Sequence, residues 1–438
     1  MRLLPLLLLM GTMTARAVAT QPIATEAAAP PAIYAANPED LWNRLYAAIA
    51  VRTEAGVQYG ADNGEPFFEP FDDPRALAAA LDEFIARHGE RAAPSALARA
   101  LLLNDVWAAF DLAASARSEP ANPAIQHRLA EAVGQLRLPA AAISRLPDNY
   151  RAAVESGNFA ADFDPAHPQR AFLPPDLLDA AGSWVEIQDG GGRLVTPFHA
   201  QMLSGRSVFR VFIRCPGGRT ATLAYLNALN LYPTPWELKG ASIGRSYPGG
   251  EAVRMFTLRL DPATPQFPAG TIVALVRQLM AIDDRFEPVP TALTQKVQFR
   301  VYREVGVPAR ERSRAGFSER QRVYEFVLRR RELLAGSAGG LRLVGPQDVE
   351  YQLTTIPEGG PRAARLQGSS VLGTCERCHS ADGIFSVNSY TRQLSPEAPT
   401  QDPQLLPSGH SWNDERAAAV QWKQQQFDWG LLRGMQPR

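Results

Sequence analysis

Apolar positions recur every three to four residues through the first third of the chain. Leu41, Leu45 and Ile49 follow Asn37-Pro38-Glu39-Asp40, which reads as an N-cap, a proline in the first turn and acids that suit the helix dipole. Asp73-Pro74 repeats the device ahead of Leu77, Leu81, Phe84 and Ile85, with Gly89 as the expected stop. Asn122-Pro123 repeats it again ahead of Ile125, Leu129 and Val133. Residues 97–112 give a further helix, whose Trp107 and Phe110 are expected to face a core. Together these segments predict a small all-helical bundle.

The period then changes. Residues 207–215, SVFRVFIRC, are nearly continuous in apolar side chains, as a strand buried on both faces requires. Residues 296–303 alternate, with Val297, Phe299 and Val301 on one side and Lys296, Gln298 and Arg300 on the other. Residues 323–330 put Tyr324, Phe326 and Leu328 on one face, and AVRMFTLRL and GTIVALVRQLMAID add two more strands. One helix, 220–229, interrupts them. The set predicts a mainly antiparallel β domain, with a sandwich as a candidate arrangement.

The predicted fold class is therefore α+β multidomain. A helical domain spans 37–172, a β-rich domain 173–343, and a C-terminal segment with a terminal helix 344–438. The Ala/Pro-rich stretch 20–36 reads as a linker. Ahead of it, Arg2, the apolar run 3–13 and the small-x-small sites around Ala15 to Ala19 read as a signal peptide over 1–19. That run is well short of the roughly 20 residues a membrane helix needs, and no later stretch is long and apolar enough. The expectation is an exported protein, periplasmic or extracellular, with no transmembrane segment in its mature chain.

Composition narrows the chemistry. Lys+Arg and Asp+Glu are equal at 45 each, which argues against a nucleic-acid surface. Three cysteines are too few for a disulfide scaffold, so the fold must stand on packing. No phosphate loop, HExxH or GxSxG occurs, and DGGGR at 189–193 reads as a turn. The basic run RRRELL, 329–334, is expected to be a solvated strand end. His199 and Met202 precede the buried strand; either can approach a cofactor, but a structural role is expected.

The remaining signal is GTCERCHSADG, 373–383. Cys375 and Cys378 are three apart, and His379 follows directly. Chance placement of the chain's three cysteines and six histidines gives this pattern about two times in ten thousand. Three uses compete: haem attachment, a zinc site of Cys375, Cys378, His379 and His410, or a redox dithiol. Zinc motifs usually bring two separated pairs, and a thioredoxin-like CxxC opens a helix in a βαβ unit, which the pattern here lacks. Val371, Leu372, Ile384, Phe385, Val387 and Tyr390 can form an apolar wall, and Trp412, Trp422 and Trp429 lie nearby in sequence.

This short segment, and no more of the chain, resembles the haem-attachment motif of c-type cytochromes; the remainder resembles uncharacterised exported bacterial proteins, which implies no activity. The resemblance implies haem c, with Cys375 and Cys378 at the thioether positions and His379 as proximal iron ligand. It implies electron transfer to a redox partner protein, more a carrier than a catalyst. For the distal ligand, His410 or Met435 is the candidate, with five-coordinate iron or a ligand from the β domain left open. The competing function is an extracytoplasmic binding or structural protein whose CxxCH is a disulfide or zinc clip.

Overall fold

A computed structural model describes residues 31–54, 57–60, 73–92, 95–114, 123–189, 193–232, 236–245, 252–261, 263–303, 321–345, 348–350, 369–370, 372, 375, 379, 383–387, 405–407 and 414–436. The expected signal peptide and His410 lie outside them. The protein is α+β: helices at the N-terminus, one large antiparallel sheet, and helices again at the C-terminus.

The N-terminal helices are α1 (Leu41–Ala50), α2 (Pro74–Ala86), α3 (Ala96–Ala114), α4 (Pro123–Leu136), α5 (Ala140–Ile143) and α6 (Asn149–Glu155). The starts of α1, α2 and α6 follow from capping by an aspartate side chain. Asp73 accepts from the backbone N–H of Arg75 and Ala76, with Pro74 as first helical residue. At α1 the cap is Asp40, which accepts from Trp42 N; Asn37, expected as the cap, instead closes a turn by accepting from Glu39 N. The helix α2 ends at Ala86, and the left-handed residue beyond it is His88 (φ 50°) rather than Gly89. Helix α3 is buried nearly all round, Trp107 and Phe110 included. Ile33 and Tyr34, in the stretch read as a linker, are also buried, and their backbone N–H groups donate to the Asn43 side chain.

After β1 (Arg52–Glu54) and β2 (Val57–Tyr59), a small hairpin, come β3 (Val185–Asp189), α7 (Pro197–Met202), β4 (Ser207–Arg214) and α8 (Gly218–Leu229). A second hairpin is β5 (Trp236–Arg245) and β6 (Ala252–Leu260). Then follow β7 (Ile272–Ile282), β8 (Pro288–Tyr302), β9 (Gln321–Leu328), α9 (Arg330–Leu334) and β10 (Leu341–Leu343). Short strands β11 (Val349–Glu350) and β12 (Ser369–Ser370) pair with each other, and β13 (Leu405–Pro407) joins the main sheet. The main sheet has seven strands in the order β10-β9-β8-β7-β4-β3-β13, every neighbouring pair antiparallel. It is one sheet covered on both faces, not the sandwich considered from the pattern.

Alternation along the strands divides the core in two. Val208 and Phe212 of β4, Ala274 and Val276 of β7, Val297, Phe299 and Val301 of β8, and Tyr324, Phe326 and Leu328 of β9 face the N-terminal helices and the C-terminal helix Phe427–Gly434. Val211 and Ile213 of β4, Val273 of β7 and Tyr302 of β8 face the other way, against α8, Ile384 and Val387. The change of texture near residue 173 does not interrupt the first core: Phe172 packs 4.8 Å from Phe299 and 5.2 Å from Tyr324.

Two buried ion clusters cross the first core. Asp111 of α3 meets Arg206 at 2.7 Å and Lys423 at 3.0 Å, and Lys423 meets Asp428 at 2.6 Å. One lysine thus serves two carboxyls. Burial drives Asp111 up to about 7, whereas Lys423 and the Asp111 hydrogen bond hold Asp428 below the usual carboxylate range despite its own burial. Asp105 meets Arg330 at 2.5 Å. The run expected as a solvated strand end is therefore a helix, α9, whose Arg330 is 1% exposed. Among the described residues no helix is long and apolar enough to cross a membrane.

Candidate functional site around His379

Of the CxxCH segment, Leu372, Cys375 and His379 are described, and all three are helical. Cys375 and His379 meet the second face of the sheet, through Gln298 and Gln321. Cys375 is half-buried and His379 is buried. Cys378 and the candidate distal ligand His410 lie outside the described residues.

The sheet beneath is polar at this point. Register sets Arg277 beside Lys296, Gln298 beside Glu325, and Tyr302 beside Gln321. Gln298 Nε2 donates to Glu325 Oε2 (2.6 Å) and to Cys375 Sγ (3.2 Å), and Cys375 Sγ lies 3.6 Å from the same carboxylate oxygen. Lys296 Nζ is 2.9 Å from Glu325 Oε1. Gln321 Nε2 donates to the His379 carbonyl (2.8 Å). The alternation in 296–303 marked a polar side but not its cover. In the fold that side is covered, with Gln298, Arg300 and Glu325 all buried.

The His379 ring is held from one nitrogen. Nδ1 lies 2.8 Å from the carbonyl oxygen of Ser386, which also accepts from Arg300 Nη1 (3.3 Å). A carbonyl can only accept, so Nδ1 carries the proton and Nε2 keeps its lone pair. Ser386 is fixed in turn: its hydroxyl donates to the Gly383 carbonyl (2.8 Å) and accepts from Tyr302 (2.6 Å). Burial, with Arg300 nearby, depresses the His379 pKa to about 3, so the ring is neutral at ordinary pH.

A second histidine stands beside it. His199 of α7 has its ring centre 6.0 Å from that of His379, with the planes 19° apart. Its further ring neighbours are Phe209 of β4, at 5.4 Å, and Phe198, at 6.4 Å. Burial and the nearby Arg300, Lys296 and Arg277 depress its pKa to about 4. The sequence marked His199 only as a residue able to approach a cofactor; nothing in its spacing, 180 positions before His379, pairs the two.

The other sequence candidates go elsewhere. Met435 follows the helix Phe427–Gly434 and packs into the first core with Trp429 and Leu432, across the sheet from His379. Trp422 and Trp429 are packed against that same first core, Trp429 5.5 Å from Trp107. Ile384, Val387 and Phe385 do line the second core beside His379, as expected of an apolar wall.

Cys215 is a free buried thiol in the second core, and burial raises its pKa, which makes it a poor nucleophile. Cys215→Ala should lower stability by about 1 kcal/mol in urea unfolding; no loss of stability would show that this thiol adds nothing to the second core.

The donor set fits a haem. A neutral imidazole offers one free nitrogen with its other N–H fixed by a carbonyl, the usual arrangement for a metal-ligating histidine. The half-buried Cys375 thiol meets Gln298 nearby, and Ile384, Phe385 and Val387 line the second core around Ser386, whose carbonyl Arg300 also reaches. Among the described residues no three His, Cys, Asp or Glu side chains are grouped to hold a metal ion by themselves. Compared with family models, curated proteins and solved structures, the chain finds no match.

Proposed function

We propose that this is an exported protein that carries one covalently attached haem and passes single electrons through it to a partner protein. The observation that carries the reading is the fixed tautomer of His379: Nδ1 donates to Ser386, so Nε2 is the ligand atom. Cys375 and Cys378 would hold the group by adding their S–H bonds across its two vinyl groups, sulfur to one carbon and hydrogen to the other, with no leaving group and no oxidant. When bound, haem supplies a one-electron iron couple whose potential depends on the axial ligands and their hydrogen bonds. The chain's own part is to hold His379 in one orientation, through Ser386 and Tyr302, and to set charge around the ring through Arg300 and Lys296. Export agrees with this chemistry, since the N-terminal pattern and the attachment motif both point outside the cytoplasm.

The test is expression of the full chain, leader included, in a host with haem-attachment machinery. Colour should stay with the protein after acid–acetone extraction, at one haem per chain. A colourless protein carrying one zinc per chain would end the electron-transfer reading in favour of a metal clip.

A further inference from the structure

The separation of the two histidine rings has a metric meaning. Two imidazoles on opposite sides of one metal ion have nitrogen–metal distances of about 2 Å, and each ring centre lies about 1 Å further back, so the centres are about 6 Å apart. The His199 and His379 centres are 6.0 Å apart, with planes only 19° from parallel. Offset packing of two aromatic rings also falls in this range, so distance alone does not decide.

The backbone around His199 adds to it. Helix α7 starts at Pro197 and ends in a tight turn, where Ser204 (φ 49°) and Gly205 (φ 70°) are both left-handed. Gly205 N donates back to the Ala200 carbonyl at 2.8 Å. A Cβ on Gly205 would lie 2.7 Å from the Trp422 ring, so only glycine lets the turn sit this close. Ala200 is 4% exposed. The segment is thus anchored just after His199, at Ala200 and Gly205, and the His199 ring lies nearly parallel to that of His379. Arg300, Lys296 and Arg277 stand near it, a cationic wall suited to the two carboxylates that haem carries.

We infer that His199 is the second axial ligand of the iron, which makes the site a bis-imidazole one; the inference rests on the haem reading above. His379 comes from the attachment segment and His199 from the turn before β4, so the second ligand exists only once the sheet has formed. Two imidazole ligands, rather than imidazole and thioether, favour the ferric state and a lower potential.

The experiment uses the full, haem-loaded chain. Wild-type protein should show a low-spin ferric spectrum, a near-infrared charge-transfer band of the imidazole–imidazole type, and no carbon monoxide binding by the ferrous form over minutes. His199→Ala should keep its covalent haem, turn high-spin, bind carbon monoxide, and regain the low-spin spectrum when imidazole is added. His410→Ala and Met435→Leu should leave the spectrum unchanged. The inference is overturned if His199→Ala stays low-spin, if His410→Ala alone loses the low-spin spectrum, or if the wild-type band is of the imidazole–thioether type. The band needs no variant and excludes a thioether ligand even if His199→Ala fails to fold; the His410→Ala spectrum then separates the two histidines. Wild-type protein without covalent haem removes the haem reading itself, whereas covalent haem with an unchanged His199→Ala spectrum removes only this ligand.

Discussion

Arg330→Met should cost about 3–5 kcal/mol of folding stability, and more at pH 8 than at pH 5. Arg330 is 1% exposed and lies 2.5 Å from Asp105, with its guanidinium 5.2 Å over the Tyr46 ring. Tyr34 OH, at 3.3 Å, is the other group on the Asp105 carboxyl. Burial raises the Asp105 pKa to about 7 against the pull of Arg330. A carboxyl whose pKa is raised on folding stabilises the fold below its unfolded pKa, about 3.9, and loses that contribution as pH rises through the folded value. Removing the cation raises the folded value further, so the penalty falls where Asp105 must ionise, above about 7, and is small where it is already neutral. Urea unfolding at the two pH values reads the difference. Arg330→Met combined with Asp105→Leu should recover most of the loss, because an apolar pair of similar volume leaves no buried charge. Equal cost at both pH values, with no recovery in the double variant, would show that the ion pair is not what Arg330 contributes.

Local chemistry was legible in the sequence where the cause is local. Asp73-Pro74 starts a helix because the cap and the first turn are neighbours in the chain. The alternation in β8 and β9 placed Val297, Phe299, Tyr324 and Phe326 on a buried face, and all four are in the first core. The nearly continuous apolar run 207–215 contains β4, which is central, between β7 and β3. What failed was anything that depends on a distant partner. RRRELL looks like a solvated strand end because nothing nearby neutralises it; its partner Asp105 is 225 residues away. For Lys296, Gln298 and Arg300 the alternation gives a shared side but not what covers it, since the covering segment follows 77 residues or more later. The motif at 375–379 marked Cys375 and His379 as candidates, but Ser386, Glu325 and His199, which surround them, are set by sheet register and by the α7 turn, which spacing does not encode.

Replacing both cysteines by alanine, Cys375→Ala with Cys378→Ala, should abolish covalent haem retention and leave the protein folded. The first expectation follows from attachment chemistry: with neither thiol present, no carbon–sulfur bond can form, and acid–acetone should carry all colour into the organic phase. Either single variant should keep its colour in the protein, with the reduced absorption bands shifted to the red because one vinyl group stays conjugated. The second expectation follows from packing. Cys375 is only half-buried, and its described contacts are the Gln298 side chain and the Glu325 carboxylate, which also hold each other and Lys296. Removing the thiol leaves Gln298 Nε2 still bonded to Glu325, and the cost should stay at about 1 kcal/mol. His379 keeps its bond to Ser386 in the double variant, so added haem should still bind reversibly with a low-spin spectrum. Covalent colour surviving the loss of both thiols, or a double variant that binds no added haem although its sheet is intact by circular dichroism, would contradict the roles given to Cys375, Cys378 and His379.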